Sequence, residues 1–158
     1  MHGHNYLLEL IPEFPEITIS WQPCEAHPRP EEGWGPHSDI ILRGMFFILE
    51  NGLDVYKYHD LMYKAPKDDT VDIENIESVA HYVKHLVDYK KFKNALENGE
   101  YISDLKETDD NAYERSGVWV IPAFRMNGKK LDAKSGVGIT KEELRIFQFD
   151  TQPEYRIW

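Results

Sequence analysis

The sequence predicts an α/β domain, and three observations predict it. Residues 17–21, Ile-Thr-Ile-Ser-Trp, alternate β-branched or aromatic side chains with polar ones, the period of a half-buried strand. Between Ser38 and Arg115 the apolar residues recur at helical spacing, broken only by short polar connectors. Asn127-Gly128 sits between apolar-rich runs and is the strongest short hairpin signal, because both residues tolerate positive φ.

Taken in order, residues 3–11 place Leu7, Leu8, Leu10 and Ile11 in a short helix that Pro12 and Pro15 end. The strand at 17–21 follows. Residues 22–36 then hold Pro23, Pro28, Pro30, Pro36, Gly33 and Gly35, so neither a helix nor a ladder persists through them. A loop of that length inside a small domain is often functional. Ser38 is placed to cap a helix over 39–51, with Gly52 as a left-handed stop. Asp54 caps a second helix that Pro66 ends. Ile73, Ile76, Val79, Ala80, Val83 and Val87 predict a third helix over 73–87. Residues 89–98 form a fourth, closed by Gly99, and 101–115 a more polar fifth, closed by Gly117. Strand character returns over 118–126, turns at Asn127-Gly128 and comes back over 129–133. Gly136 and Gly138 lend turn flexibility, and Thr140 opens a last helix with a capping box to Glu143.

Size and charge bound the function. A chain of 158 residues with 13% aromatic side chains can bury one sizeable core, so a single domain over 1–158 is expected. The formal charge of -10 repels phosphate backbones and argues against nucleic acid as a partner. Lys90, Lys91 and Lys93, and Lys129 with Lys130, are the basic clusters, and acidic neighbours in sequence make them solvated faces. No apolar run reaches the roughly 20 residues that span a bilayer, and no basic segment leads into an apolar one near Met1. One cysteine, Cys24, suits a reducing compartment, so a cytoplasmic protein without a membrane partner is expected.

Few residue patterns carry chemistry. His81 and His85 share a helical face at i and i+4, yet further ligands and the glutamate of His-Glu-X-X-His are missing. His2 and His4 sit at the beginning of the chain, and no metal site is expected there either. The sequence has no phosphate loop, no nucleophile elbow and no paired cysteines for zinc or iron–sulfur. Asp68-Asp69 and Asp109-Asp110 read as solvated helix-end or loop pairs.

Gly117-Val-Trp-Val-Ile-Pro-Ala-Phe-Arg-Met-Asn-Gly-Lys129 resembles the cis-proline loop and following hairpin of DsbA-like thioredoxin-fold proteins. The helical block, about 38–115, resembles that family's inserted helical subdomain, and the segment from Thr140 its closing helix. The branch it is most similar to holds cytoplasmic DsbA-like oxidoreductases and hydroxychromene-carboxylate isomerase relatives. The resemblance implies a thioredoxin-like fold with a mixed sheet, in which residues 118–126 run antiparallel to 17–21 or its neighbour. It departs at the front. Family members open on a strand leading into Cys-X-X-Cys, whereas this sequence starts at Met1-His-Gly-His4, without that strand and dithiol: either the given start lies downstream of the natural one, or the fold fills the gap by other means. Two ways of closing the resulting gap are expected: pairing of 17–21 with the hairpin, or a homodimer in which a second chain contributes to the sheet.

On that fold the strand at 17–21 delivers Cys24, Glu25 and His27 to the edge where the strand after Pro122 begins. Cys24 and His27 are then the candidate catalytic residues, a thiol beside an imidazole that favours the thiolate. The competing reading makes Cys24 an inert, half-buried residue. Ile121 and Pro122 are the candidate substrate-binding residues: the resemblance implies a cis bond there, presenting Ile121 to an extended peptide or thiol substrate as a short added strand. The competing reading has Pro122 merely guarding an edge strand. The lineage is that of thiol–disulfide oxidoreductases. Without its dithiol the chain is expected to be inactive in that role. The alternatives are a non-catalytic peptide- or protein-binding module and a glutathione-dependent isomerase relative. No cofactor is expected other than glutathione in that last case.

Overall fold

A computed structural model describes residues 6, 7, 9–15, 18–25, 37–134 and 137–151, with side chains to 147. It divides into two compact units: Gln22–Ser116, and Met1–Trp21 together with Gly117–Trp158. Helices accompany a small sheet, so the α/β class holds. Among the described residues that sheet has two strands, β1 (Ala123–Met126) and β2 (Lys129–Asp132).

The unit Gln22–Ser116 is helical. Its elements are α1 (Asp39–Glu50), α2 (Val55–Lys64), α3 (Ile76–Tyr82), α4 (Tyr89–Glu97) and α5 (Ile102–Asp110), with a π-helical turn at Asn111–Arg115. Three of these helices begin on a side chain that accepts from the backbone three residues on. Asp54 accepts from Lys57, Asn75 from Ser78 and Asp88 from Lys91, each satisfying an otherwise orphaned N–H. Ser38 stands at the N-cap of α1 but its hydroxyl makes no capping bond. Gly52 and Gly99 take positive φ where the helices before them stop.

The third helix is shorter than the spacing of its apolar residues predicts. Ile73 lies ahead of the Asn75 cap, and Val83 stands at the C-cap with turns beyond it. Asp88 must adopt extended backbone, φ -69 and ψ 106, to cap α4, so the preceding helix cannot run on through it. Ile73 and Val83 are buried nonetheless. The periodicity reported burial rather than helix length.

The centre of this unit is built around Gly44. α1 buries Ile40, Arg43, Gly44, Met45, Phe47 and Ile48, and packs against Tyr58 of α2 and Phe92 of α4. A Cβ on Gly44 would lie 2.1 Å from the Tyr58 hydroxyl and 2.8 Å from Phe92 Cζ, so no side chain fits. The Tyr58 hydroxyl donates to the Ile41 carbonyl at 2.8 Å, and burial holds its phenol well above the usual range. Phe92 meets Phe47 edge-on at 5.2 Å between centroids. Arg43, also buried, donates to the Leu96 carbonyl at 3.0 Å and pairs with Asp39 at 3.3 Å, tying α1 to the end of α4.

In the other unit Tyr6, Leu7, Glu9 and Leu10 are helical and run into a 3-10 turn at Ile11–Glu13. Leu7 and Leu10 join Ala133, Ile139 and Leu144 in a core that Ile19, Trp21, Phe124 and Leu131 partly cover. The hairpin pairs Ala123 with Asp132 and Met126 with Lys129, and Asn127 and Gly128 both have positive φ in the turn, at 49° and 80°. α6 (Lys141–Thr151) opens on the expected capping box: the Glu143 N–H donates to Thr140 Oγ1, and the Thr140 N–H donates to Glu143. Lys141 pairs with Glu9 at 2.6 Å and Arg145 with Glu13 at 2.9 Å.

Two strand expectations need correction. Thr18 to Trp21 form no strand and join no ladder, and Ile17 lies outside the described residues. Their alternation instead seats Ile19 and Trp21 on the core while Thr18 and Ser20 stay exposed. The described sheet is therefore a purely antiparallel hairpin, without the pairing to 17–21 that would have made it mixed. On the other side β1 starts at Ala123 rather than at residue 118. Pro122 has no N–H to give a ladder, although its carbonyl still accepts from Ala133 at 3.0 Å.

Gly44→Ala should lower the unfolding free energy by about 3 kcal/mol or more, at the upper end of overpacking costs, as read from the midpoint of a urea titration.

Candidate functional site

Cys24 belongs to the helical unit, Ile121 and Pro122 belong to the other, and His27 lies outside the described residues. Each site is therefore built from its own unit.

Cys24 follows the buried Pro23 and is itself half-buried. The next residue, Glu25, is clasped by the far end of the unit. Its N–H donates to Asp109 Oδ1 at 2.8 Å, and the Tyr113 hydroxyl donates to its carbonyl. Asp109 stands at the end of α5 and Tyr113 in the π-helical turn that continues it. Such a turn adds a residue to the helix and re-aims its side chains, a distortion found often at functional positions. The Glu25 carboxylate takes a hydrogen bond from the Ser38 backbone at the start of α1.

The electrostatics run against a reactive thiol. Burial, and then the Asp109 carboxylate, push the Cys24 thiol up to about 11. At neutral pH that leaves roughly one thiolate in ten thousand. Burial also raises the Glu25 carboxyl, helped by Asp109 and Asp39 and opposed by His37 and the Ser38 hydrogen bond. Asp109 is raised by burial against the hydrogen bond from Glu25. The charge that acts on the thiol, Asp109, is negative. Asp109, taken in the sequence for a solvated residue, is half-buried and holds the Cys24–Glu25 segment. Nothing in the sequence signals this, because 84 positions separate the two partners.

The second site is simpler. The Ile121–Pro122 peptide is cis. Ahead of it Val118 is buried, whereas Trp119, Val120 and Ile121 are 74%, 37% and 44% exposed. Three consecutive large apolar side chains thus face solvent immediately before the hairpin.

The histidine pair does not form the predicted face. α3 ends at Tyr82, so His81 lies in its last turn and His85 lies beyond it. His81 Nε2 stands 3.1 Å from Lys84 Nζ. Among the described residues no group of three metal-ligating side chains converges. Lys93, of the first basic cluster, is taken up by Glu77 and Glu97. No helix of the described residues is long and apolar enough to cross a membrane. No protein-family model, curated protein or solved structure matches the chain.

Two measurements follow from the Cys24 surroundings. Alkylation of Cys24 by iodoacetamide should rise with a midpoint near pH 11. Asp109→Asn, which keeps an oxygen for the Glu25 N–H but removes the charge, should move that midpoint down without returning it to an ordinary thiol value, since burial is the larger cause. Stability should change with the opposite charge logic. Because the Asp109 and Glu25 carboxyls are raised in the folded chain, their contribution is fully present below the unfolded carboxylate range and is lost as pH rises through the raised values. Asp109→Asn should therefore flatten the fall in stability between about pH 4 and neutrality, as followed by urea unfolding at a series of pH values.

Proposed function

We propose that this chain is a DsbA-like, thioredoxin-scaffold protein that binds extended apolar peptide segments and does not turn over disulfides. The observation that carries the reading is the Trp119, Val120, Ile121 run, exposed directly ahead of a short antiparallel hairpin. Isolated apolar residues on a surface need no explanation, but three in succession, led by a tryptophan, are a docking surface in kind. A peptide laid along them would cover apolar area worth about 1.5–3 kcal/mol for each large side chain removed from water.

The element order supports the scaffold. A helical segment comes first, then a helical block, a hairpin with an Asn-Gly turn and a closing helix with a capping box. Cys24 supports the absence of turnover. Disulfide exchange needs a thiolate and a second thiol to resolve the mixed disulfide. The single cysteine of this sequence has its thiol held protonated by burial and Asp109.

Fluorescence anisotropy with a labelled neutral peptide that alternates Val and Ser tests the reading. Wild-type protein should bind it, and Trp119→Ser should weaken binding about tenfold or more, the equivalent of one large buried side chain. In a dithiothreitol-coupled insulin assay neither protein should give catalytic turnover. Binding unchanged by Trp119→Ser would remove the docking surface, and turnover that survives Cys24→Ser would place the chemistry in other residues.

A further inference from the structure

The helical unit holds a cavity that neither site described above uses. Phe46 of α1, Asp104, Glu107 and Thr108 of α5, and Asn111 and Arg115 of the π-helical turn line a polar space of about 200 Å³. At about 30 Å³ for each liquid water that is room for roughly seven, so its ligand is a small molecule rather than a peptide.

The charges of the lining are kept apart along one helical stretch. Asp104 and Glu107 stand at i and i+3, like charges that repel each other. Thr108 lies four residues after Asp104, and Asn111 lies four residues from both Glu107 and Arg115, so neutral side chains fill the places where a helical partner would stand. Lys106 and Asp110 show the contrast, because at that same spacing they pair at 2.7 Å. Among the described residues Asp104, Glu107 and Arg115 join no ion pair. Glu107 and Arg115 are separated by roughly 12 Å along the axis, at 1.5 Å per residue. The cavity is therefore negative towards one end and positive towards the other.

Its aromatic wall is held in place. Phe46 stacks on Tyr101, with centroids 6.2 Å apart and planes 12° from parallel. Tyr101 keeps a left-handed backbone, φ 66, a costly conformation for any residue but glycine, and its hydroxyl donates to Glu50. A ring fixed in this way gives the apolar body of a ligand a rigid surface.

We infer that this cavity binds a linear amino acid whose ammonium and carboxylate stand a methylene chain apart, with the ammonium at Asp104 and Glu107, the carboxylate at Arg115 and the chain against Phe46. Charge complementarity selects this class. A simple cation meets Arg115, a simple anion meets two carboxylates, and an α-amino acid, with both charges on one carbon, cannot serve both ends. The inference goes beyond the proposed docking run and uses none of its residues. The competing reading is a solvated charged face, on which such a ligand binds no better than its parts.

Isothermal titration calorimetry at low salt separates the two readings with four six-carbon probes: ε-aminohexanoate, its isomer α-aminohexanoate, hexylamine and hexanoate. Wild-type protein should bind ε-aminohexanoate about tenfold tighter than each of the others, the scale of one or two exposed charge pairs. Arg115→Gln should bring ε-aminohexanoate to the level of hexylamine, and Asp104→Asn with Glu107→Gln should bring it to the level of hexanoate. Lys106→Gln, which removes a positive charge from α5 outside the cavity lining, should leave all four probes unchanged, as should Trp119→Ser. The substitutions at 104, 106, 107 and 115 all replace exposed residues, and circular dichroism with a thermal midpoint near wild type establishes that each variant is folded. Where a variant fails that check, the ranking of the probes on the wild type decides. No saturable heat with ε-aminohexanoate, equal binding of its isomer, or tighter binding of hexylamine would overturn the inference. So would a preference that survives Arg115→Gln or is lost with Lys106→Gln. Failure of the docking run instead shows as Val-Ser peptide binding indifferent to Trp119→Ser, so the two failures are distinct.

Discussion

The helical unit depends on a place where no side chain fits. Gly44 lies in the middle of α1, where glycine costs about 1 kcal/mol against alanine in helix propensity. It is there because the Tyr58 hydroxyl and the Phe92 ring occupy the space a Cβ would need. The close approach lets one tyrosine do two things: its ring packs against Phe92, and its hydroxyl turns back to the Ile41 carbonyl on the same helix. A buried phenol without that acceptor would cost about 1–3 kcal/mol. Arg43, the neighbour of Gly44, carries its charge to the Leu96 carbonyl, so two successive residues of α1 determine where α2 and α4 stand. Packing and polar satisfaction are one constraint here, not two.

The same logic reaches the cysteine by a longer route. The chain enters the unit through Pro23 and Cys24, and it is tied down by Asp109 and Tyr113 at the opposite end of the unit's sequence. An acceptor for a buried N–H can be neutral or charged, and this one is a carboxylate. A charged acceptor makes the stronger hydrogen bond, but it also sets a negative field on the neighbouring thiol. Structural anchoring and thiol reactivity therefore oppose each other at this point. A fold that used Cys24 as a nucleophile would need a donor or a cation where Asp109 stands.

How much of this was legible in the sequence depends on the range of the interaction. Local signals read well. Asp54, the Thr140–Glu143 box, Gly52 and Asn127-Gly128 each act within four residues, and each does what its chemistry dictates. Patterns that depend on burial alone read half-right. The apolar spacing at 73–87 marked buried positions but overran the helix, and the alternation at 17–21 marked which residues face the core without making a strand. Long-range pairs did not read at all. Asp109 looked like half of a solvated acidic pair, and no periodicity could connect it with Glu25. Ile121 and Pro122 were singled out from a resemblance in their motif, and the exposure of the three residues ending at Ile121 adds a physical reason to look there.

Charge is distributed as unevenly as polarity. Residues 22–116 carry 20 acidic and 11 basic side chains, whereas the remainder carries 8 and 7. The acidity of the whole chain thus belongs to its helical unit, and the overall charge of -10 says little about what the hairpin unit attracts. Fields from exposed charges fade over a Debye length of about 8 Å at physiological salt, so a ligand at the hairpin responds to the residues beside it. Those include Lys129 and Lys130 on β2 and the apolar run before β1. Excluding polyanions on net charge alone is sound for a long duplex that must cover many residues. It does not extend to a short ligand, which samples only one patch. The composition of a chain limits its large partners, and the local pairing of its side chains decides the small ones.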